Sequence, residues 1–391
     1  FIIKNPQASS ADLLSPSEKY DALVGLDSSD PSSMTRKMWS VGEMYKDPRK
    51  GVETWMGICH GWAVAAYMLP RPSHAIKVKA ANGSTLRFYP SDLKALGSLL
   101  WANSQTNSKF VGGRCNTKNP EKTPLGGTNN GKKMGRVKDQ GCFDTNPGTW
   151  HMAVVNQIGN ARKSFVMDAT FDYEVWNHPV YSYSYTYFNP KTLKAVRTLD
   201  AAKVKLSEFD HDLFKNFREK TVRATDPETG RRIMVDVDSV VGISMTVTYV
   251  VETKPTQDTT DSSEMDATKT VKYMYDLELD RDGNIVGGEW YTNSHPDFLW
   301  TSAEPKAFSQ IEKRAQKVLK EFPRGVPGDA PSEIQELYSF MKNGWDGKAP
   351  LPESWQSVAH QAVQDSDNYG GPNPQVLSRI VDTLFTLSQM R

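Results

Sequence analysis

One stretch constrains this chain of 391 residues more than any other: residues 57–63, Gly-Ile-Cys-His-Gly-Trp-Ala, which lead into an apolar segment that stops at Pro70. A cysteine at the point where an alanine-rich segment starts is predicted to lie in the first turn of a short helix. The unpaired N–H groups and the positive end of the helix dipole stabilise a thiolate there, which favours a nucleophile at Cys59. The alternative is that Cys59 packs as a small apolar side chain.

A base and a carboxylate follow on two segments that are predicted to pair as a hairpin. Residues 149–156 and 164–170 are rich in β-branched and apolar side chains, and the Gly-Asn pair at 159–160 between them suits a tight turn. A two-residue turn there would place His151 directly opposite Asp168, with Cβ atoms about 4.5–5.5 Å apart. A one-residue bulge would put them on opposite faces of the sheet.

A thiol at a helix start, an imidazole and a carboxylate are the components of a Cys-His-Asp triad. In this hypothesis His151 accepts the proton of Cys59, while Asp168 fixes the tautomer of His151 and stabilises the imidazolium. Taken singly, His151 is also explained as a half-buried strand histidine, and Asp168 as an acid that binds its local backbone. The matched register favours the triad, because two unrelated residues would meet this way only by chance.

Three motifs add a family resemblance to this hypothesis. Residues 57–63, residues 175–180 (Val-Trp-Asn-His-Pro-Val) and residues 287–291 (Gly-Gly-Glu-Trp-Tyr) resemble the oomycete transglutaminase elicitor family and its marine bacterial relatives, within the transglutaminase and papain-like superfamily. Residues 175–180 correspond to the fragment by which plants recognise the oomycete proteins. The alternating Tyr-Ser residues that follow Val180 depart from that fragment.

The resemblance implies a fold and a reaction. The fold is α+β, papain-like or transglutaminase-like, with the Cys59 helix packed on an antiparallel sheet and a helical C-terminal region. The reaction is that of a protein-glutamine γ-glutamyltransferase, which joins protein glutamines to lysines or other primary amines through a Cys59 thioester. Trp62 and Trp150 are candidates for the tryptophan that stabilises the tetrahedral intermediate in animal transglutaminases, with core packing as the alternative.

Two other classes of protein fit the same residues. A thiol hydrolase, either a glutamine deamidase or a cysteine protease, would use the same triad with water as the acceptor. A non-catalytic surface elicitor would instead use Cys59 for packing and present the region around Trp176 for recognition.

The other two cysteines indicate a disulfide, and the disulfide in turn indicates the cellular compartment of the protein. Cys115 and Cys142 lie at the two ends of a Gly-, Asn- and Lys-rich stretch that has too few apolar residues to order itself by burial. A disulfide between them would restrict the unfolded chain, by about 3–4 kcal/mol, and leave Cys59 outside any disulfide. This predicts an oxidising compartment, so that the protein is secreted or periplasmic. The alternative is two unpaired loop thiols.

The net charge and the spacing of possible metal ligands limit the kinds of partner and cofactor that the sequence predicts. The net charge of +1 argues against a basic nucleic-acid or membrane surface, and no apolar segment has the length of a membrane span. Asp280 and Asp282 resemble the start of a calcium loop, but Ile285 and Tyr291 stand where such a loop needs a glycine and an acid, so a hairpin turn explains them better. The sequence requires no cofactor and shows no zinc pattern, and calcium held by distant loops is left open.

The chain divides into three predicted regions. Residues 1–38 form an N-terminal arm or the remnant of an inhibitory pro-segment, residues 39–300 form the catalytic domain, and residues 301–391 form a helical extension. A helix is expected near residues 206–217. Antiparallel strands are expected at Val240–Glu252, Thr270–Leu279 and Asn284–Tyr291.

Overall fold

The structure is a computed structural model that describes residues 10–104, 106–129, 132–143, 145–225, 229–292, 295–364 and 373–390. Its contacts divide the chain into two compact units. The first comprises Phe1–Ser108, Glu252–Asp266 and Ser302–Arg391, and the second comprises Lys109–Val251 and Ala267–Thr301. The three regions predicted from the sequence stay a prediction, because this division follows contacts rather than chain order.

Helices and strands alternate in the mixed pattern of an α+β protein. The helices are α1 Pro16–Val24, α2 Met34–Met44, α3 Cys59–Met68, α4 Pro90–Asn103, α5 Pro147–Val154, α6 Leu199–Ala202, α7 Gln310–Glu321, α8 Ser332–Lys342, α9 Glu353–Gln364 and α10 Ser378–Gln389. The strands are β1 Ile76–Lys79, β2 Thr85–Phe88, β3 Ser108–Gly112, β4 Lys122–Asn129, β5 Lys132–Val137, β6 Val166–Asp168, β7 Asn177–Asn189, β8 Lys194–Val196, β9 Lys203–Lys205, β10 Thr221–Thr225, β11 Arg232–Asp236, β12 Ser239–Val250, β13 Thr268–Leu279, β14 Ile285–Trp290 and β15 Phe298–Ser302.

The first unit is mainly helical, and its centre is the close packing of α3 on α4. Gly61 makes this approach feasible, because a Cβ at that position would lie 2.3 Å from the Ser98 carbonyl oxygen and 2.5 Å from the Ala102 Cβ. Strands β1 and β2 form a hairpin, with Gly83 at φ +81° in its turn. The predicted helical C-terminal region is confirmed and consists of α7 to α10.

The N-terminal segment is an integral part of the first unit. Lys19 of α1 is 1% exposed and forms an ion pair of 2.5 Å with Asp92 of α4. Tyr20 and Leu23 are fully buried, and the Tyr20 hydroxyl accepts a hydrogen bond of 3.0 Å from the backbone N–H of Leu377. Asp21 accepts hydrogen bonds from the first residues of α2. These contacts favour an arm over a removable pro-segment.

The second unit is organised around an antiparallel sheet. Its strand order is β14-β13-β12-β7-β6-β15-β3, with β8 beside β7 and β9 beside β12. The long central strand β12 pairs with β13 on one side and with β7 on the other, so that Met245 lies between Tyr273 and Tyr185. Helix α5 packs on β13 and β14, and its Trp150 lies in the hydrophobic core of this unit. The predicted strands around residues 240–291 are therefore present.

The predicted hairpin of His151 and Asp168 is wrong. Residues 147–154 form α5, which begins at Pro147 behind the Asn146 cap, and the chain continues as a π-helical segment over Val155–Asn160. Asp168 does end a strand, but its partner across β6 and β7 is Asn177. The β-branched pattern was misleading because the Asn-Pro helix start and the packing on the sheet outweigh strand propensity.

The prediction of a helix near residues 206–217 is wrong: the chain there forms a short 3-10 turn, Leu206–Glu208, followed by further turns. The stretch between Cys115 and Cys142, which has too few apolar residues to order itself by burial, contains the paired strands β4 and β5. Cross-strand pairing and the disulfide supply the order that apolar burial could not.

Candidate active site

Cys59 is the first residue of α3, as predicted. Ile58 caps the helix, and its carbonyl oxygen accepts hydrogen bonds from the N–H groups of Gly61 and Trp62 at 2.9 and 3.0 Å. The Cys59 side chain is half-buried and is not part of a disulfide. A thiol at this position lies at the positive end of the helix dipole. The role of Cys59 as a nucleophile stays a prediction.

His151 lies on α5 and is 8% exposed. Its Nδ1 atom is 2.8 Å from the hydroxyl oxygen of Tyr275 on β13. The edge of its ring meets Tyr185 of β7, with ring centroids 5.1 Å apart. Burial lowers the pKa of His151 to about 4, so the imidazole is neutral near pH 7. Its Nε2 atom has no hydrogen-bond partner in the part of the chain that the structure describes.

Asp168 is fully buried at the end of β6. Its Oδ1 atom accepts hydrogen bonds from the Trp176 N–H at 2.9 Å and from the Thr170 hydroxyl at 2.8 Å. Its Oδ2 atom is buried without a hydrogen-bond partner among the described residues. Burial raises the pKa of Asp168 to about 6 despite these bonds.

His151 and Asp168 share no hydrogen bond, since the described partner of His151 is Tyr275 and those of Asp168 lie in its own loop and at Trp176. Cys59 belongs to the first compact unit, whereas His151 and Asp168 belong to the second. The assembly of the three residues into one triad therefore stays a prediction.

Sequence reasoning missed Tyr275, which is the hydrogen-bond partner of His151. The two residues are 124 positions apart, and Tyr275 looks like any inward-facing aromatic residue of a strand. The available signal was weak: Tyr275 belongs to the core face of β13, and α5 packs on that face.

The two candidate tryptophans have different surroundings. Trp62 lies in α3 three residues after Cys59 and is half-buried. Trp150 is fully buried and packs edge-on against Tyr273 and Phe165, with ring centroids 5.4 and 6.5 Å apart. Full burial favours the packing alternative for Trp150, and a role for either residue in catalysis stays a prediction.

The predicted disulfide between Cys115 and Cys142 is present in the second unit. Both cysteines are buried, and the Cys115 N–H donates a hydrogen bond of 2.9 Å to the Asp297 carboxylate. Cys142 also lines a cavity of about 200 Å³ together with Arg136, Glu289 and His295. The disulfide thus joins the two ends of the segment that contains the β4–β5 hairpin.

The acids at 280–282 close a turn. Asp280 accepts hydrogen bonds from the N–H groups of Asp282 and Asn284 and from the Asn284 side chain, between β13 and β14. Nowhere in the described ranges do three or more His, Cys, Asp or Glu side chains form a group that could hold a metal ion. Likewise, none of the described helices has both the length and the apolar character of a membrane span.

The fold and the site residues define a class. A helix that begins at a half-buried cysteine, and a curled antiparallel sheet that carries a buried histidine on its covering helix, are features of a transglutaminase-like α+β protein. The family model described as transglutaminase elicitor matches residues 11–206 and 233–315, and the chain belongs to this family. This confirms the resemblance predicted from the motifs.

One solved structure gives a comparison of folds. The crystal structure of the GP42 transglutaminase from Phytophthora sojae is similar to this chain with a TM-score of 0.46 and 22% sequence identity, over 75% of this chain and 76% of that chain. A comparison with curated proteins finds no match.

Proposed function

We propose that this protein is a protein-glutamine γ-glutamyltransferase that uses Cys59 as its nucleophile. The observation that carries the proposal is the position of Cys59 at the first residue of α3, in a chain of the transglutaminase elicitor family. The other two cysteines are joined in a disulfide, so Cys59 is the thiol available for the reaction. The proposed substrates are proteins that bear glutamine and proteins or small molecules that bear a primary amine.

The first half-reaction forms a thioester. The Cys59 sulfur attacks the carbonyl carbon of a glutamine carboxamide while the Nε2 atom of His151 takes the thiol proton. The imidazolium then returns this proton to the leaving nitrogen, and ammonia departs. The positive end of the α3 dipole stabilises negative charge on the sulfur during attack. Burial keeps His151 neutral before the reaction, so a nitrogen lone pair is available to accept the thiol proton.

The second half-reaction transfers the acyl group. His151 removes a proton from the incoming amine, whose nitrogen attacks the thioester carbonyl, and the Cys59 thiol is regenerated as an isopeptide bond forms. Attack by water would give deamidation of the same glutamine. Tyr185 and Tyr275 place aromatic rings beside His151. Aromatic surroundings of this kind favour the amine over water as the acceptor.

The proposal includes an extracellular or periplasmic location. The buried disulfide between Cys115 and Cys142 is the supporting observation, because such bonds form and persist in oxidising compartments.

A purely non-catalytic elicitor is the less favoured alternative. In the folded protein Asn177 and His178 are 4% and 6% exposed, and Val180 is 1% exposed. Residues 177–180 of the segment that resembles the plant-recognised fragment are thus buried, whereas Val175 and Trp176 are half-buried. In the folded protein a receptor could reach only the exposed parts of Val175 and Trp176.

The test is the incorporation of a labelled primary amine into a glutamine-bearing protein, measured for the parent chain and for Cys59→Ala, with and without calcium. We expect incorporation that the substitution abolishes. Ammonia release without amine incorporation would show a glutamine deamidase instead. Full activity in Cys59→Ala would refute the assignment of the nucleophile.

A further inference from the structure

The hydrogen bond between His151 and Tyr275 lies in a buried setting that fixes the direction of the imidazole. Tyr275 is fully buried and His151 is 8% exposed. Their polar atoms are 2.8 Å apart, and the ring centroids are 6.0 Å apart in an edge-on arrangement. Tyr185 is a second aromatic neighbour of the imidazole, with ring centroids 5.1 Å apart. The ring therefore has two aromatic neighbours, and Tyr275 supplies the polar contact.

The surroundings of the phenol decide which group donates. The Tyr275 hydroxyl also lies 3.7 Å from the sulfur of Met245, which can only accept a hydrogen bond. If Nδ1–H donates to the Tyr275 oxygen, the phenol proton turns to Met245, and both polar hydrogens are used. If the phenol donates to Nδ1 instead, the Met245 sulfur loses the hydrogen bond that the Tyr275 hydroxyl donates to it. The first arrangement is favoured because it satisfies both contacts of the phenol.

The favoured arrangement is also the one that the reaction needs. With the proton on Nδ1, the Nε2 atom has a lone pair and can act as a base toward a thiol or an amine. Burial raises the pKa of Tyr275 well above its usual value, so the phenol stays protonated and can act both as acceptor and as donor.

Asp168 does not supply this contact. Its Oδ1 atom is taken by Trp176 and Thr170, and its Oδ2 atom has no partner within the described chain. In a triad with aspartate as the orienting group, the carboxylate accepts the Nδ1–H of the histidine. Here a phenol occupies that place.

We propose that Tyr275, rather than Asp168, is the positioning residue for His151, and that it holds the imidazole in the Nδ1–H tautomer through the chain from His151 to Tyr275 to Met245. The proposal rests on the proposed function of His151 as general acid and base. A neutral partner orients the base without adding a negative charge beside it.

The substitution Tyr275→Phe tests the proposal, and Tyr273→Phe is its matched control. Tyr273 lies two residues away on the same strand and the same core face, is 4% exposed, and makes no hydrogen bond to a histidine. We expect Tyr275→Phe to lower kcat about 10- to 100-fold with little change in KM, because the base loses its orientation. Tyr273→Phe should change kcat by less than about twofold.

A spectroscopic measurement separates orientation from activity. In protein with ¹⁵N-labelled histidine, the ring nitrogen shifts of His151 report the tautomer, and His151→Gln assigns the signal. We expect a protonated Nδ1 in the parent chain and in Tyr273→Phe, and a mixture of tautomers in Tyr275→Phe. An unchanged signal in Tyr275→Phe, or a tautomer that responds to Asp168→Asn instead, would overturn the proposal.

The two measurements keep this proposal distinct from the proposed function. If amine incorporation is absent from the parent chain but the tautomer responds to Tyr275→Phe as expected, only the acyl transfer is refuted. If incorporation occurs and the tautomer does not respond, only the role of Tyr275 is refuted.

Discussion

At the scale of single residues, Asp168 is a titratable carboxyl group that is fully buried. Its pKa is raised to about 6 from an ordinary 3.8, chiefly by burial. Between these two values the folded protein binds more protons than the unfolded chain, so the free energy of unfolding falls as the pH rises through this window. Above it the full penalty, about 2–3 kcal/mol, is present. The charged form of Asp168 therefore lowers the free energy of unfolding.

Asp168→Asn should therefore change the pH dependence of stability. The amide keeps an Oδ1 acceptor for the Trp176 N–H and the Thr170 hydroxyl, but it carries no charge at any pH. We expect the difference in the free energy of unfolding, variant minus parent chain, to be about 2–3 kcal/mol larger at pH 8 than at pH 4. Urea unfolding at the two pH values measures this, with Asp172→Asn in the same loop as the control. Equal differences at both pH values would contradict the assigned cause.

At the scale of elements, the position of Cys59 depends on how closely α3 approaches α4. A methyl group at Gly61 would meet the Ser98 carbonyl oxygen and the Ala102 backbone N at 2.3 and 2.5 Å, and neither atom can move without the helix. A methyl group at Gly97 would meet the Leu69 Cδ1 atom at 2.5 Å, the end of a flexible side chain. Gly61 and Gly97 can therefore be compared directly, because an added methyl group would clash with backbone at the first position and with a side chain at the second.

Gly61→Ala should destabilise the protein far more than Gly97→Ala. We expect a loss of about 3 kcal/mol or more for Gly61→Ala, because overpacking against backbone moves the helix. We expect at most about 1–2 kcal/mol for Gly97→Ala, where a rotamer change relieves the clash. The rate of Cys59 alkylation should fall only in Gly61→Ala. Equal losses of stability would show that α3 and α4 adjust freely.

The disulfide between Cys115 and Cys142 is the second feature that acts at the scale of elements. Replacing both Cys115 and Cys142 by Ala should lower the free energy of unfolding by about 3–4 kcal/mol, because the unfolded chain regains the freedom of a loop of 27 residues. Cys59→Ala is the matched control, and we expect it to leave stability within about 1 kcal/mol because that side chain is only half-buried. Denaturant unfolding under oxidising and reducing conditions checks both values.

At the scale of the whole molecule, the sequence predicted structure that depends on neighbouring residues, but it did not predict contacts between residues far apart in the chain. The start of α3 at Cys59, the β1–β2 hairpin and the strands β12 to β14 follow from caps, turns and alternation. The strand predicted for residues 149–156 is wrong because the Asn146 cap and Pro147 start a helix there, and this outweighs the strand propensity of the β-branched and apolar residues.

Tyr275 was beyond any local reading of the sequence. Its contact with His151 is made only when α5 packs on β13, and no pattern within either element specifies that meeting. Asp168 was placed on the correct strand, but its partners depend on the loop that leads to Trp176. Residue types could thus be predicted, whereas their pairings required the tertiary structure.

The N-terminal segment poses the last question at this scale, since an arm and an inhibitory pro-segment make opposite predictions. Helix α1 supplies Lys19 to the buried ion pair with Asp92, and the Tyr20 hydroxyl to the Leu377 N–H. The Val24 carbonyl oxygen lies 2.7 Å from the His360 Nε2. Breaking a buried ion pair by removing one partner costs about 3–5 kcal/mol. These contacts favour an arm over an inhibitory segment that is released on activation.

A protease site placed in the exposed turn at 27–31 distinguishes the two. After cleavage there, we expect the fragment with α1 to stay bound under native conditions, to separate only in denaturant, and to leave amine incorporation unchanged. Lys19→Ala should loosen the nicked fragment, because Asp92 is then a buried charge without its cation. Release of the fragment from the parent chain together with a rise in activity would show instead that residues before α2 form an inhibitory pro-segment.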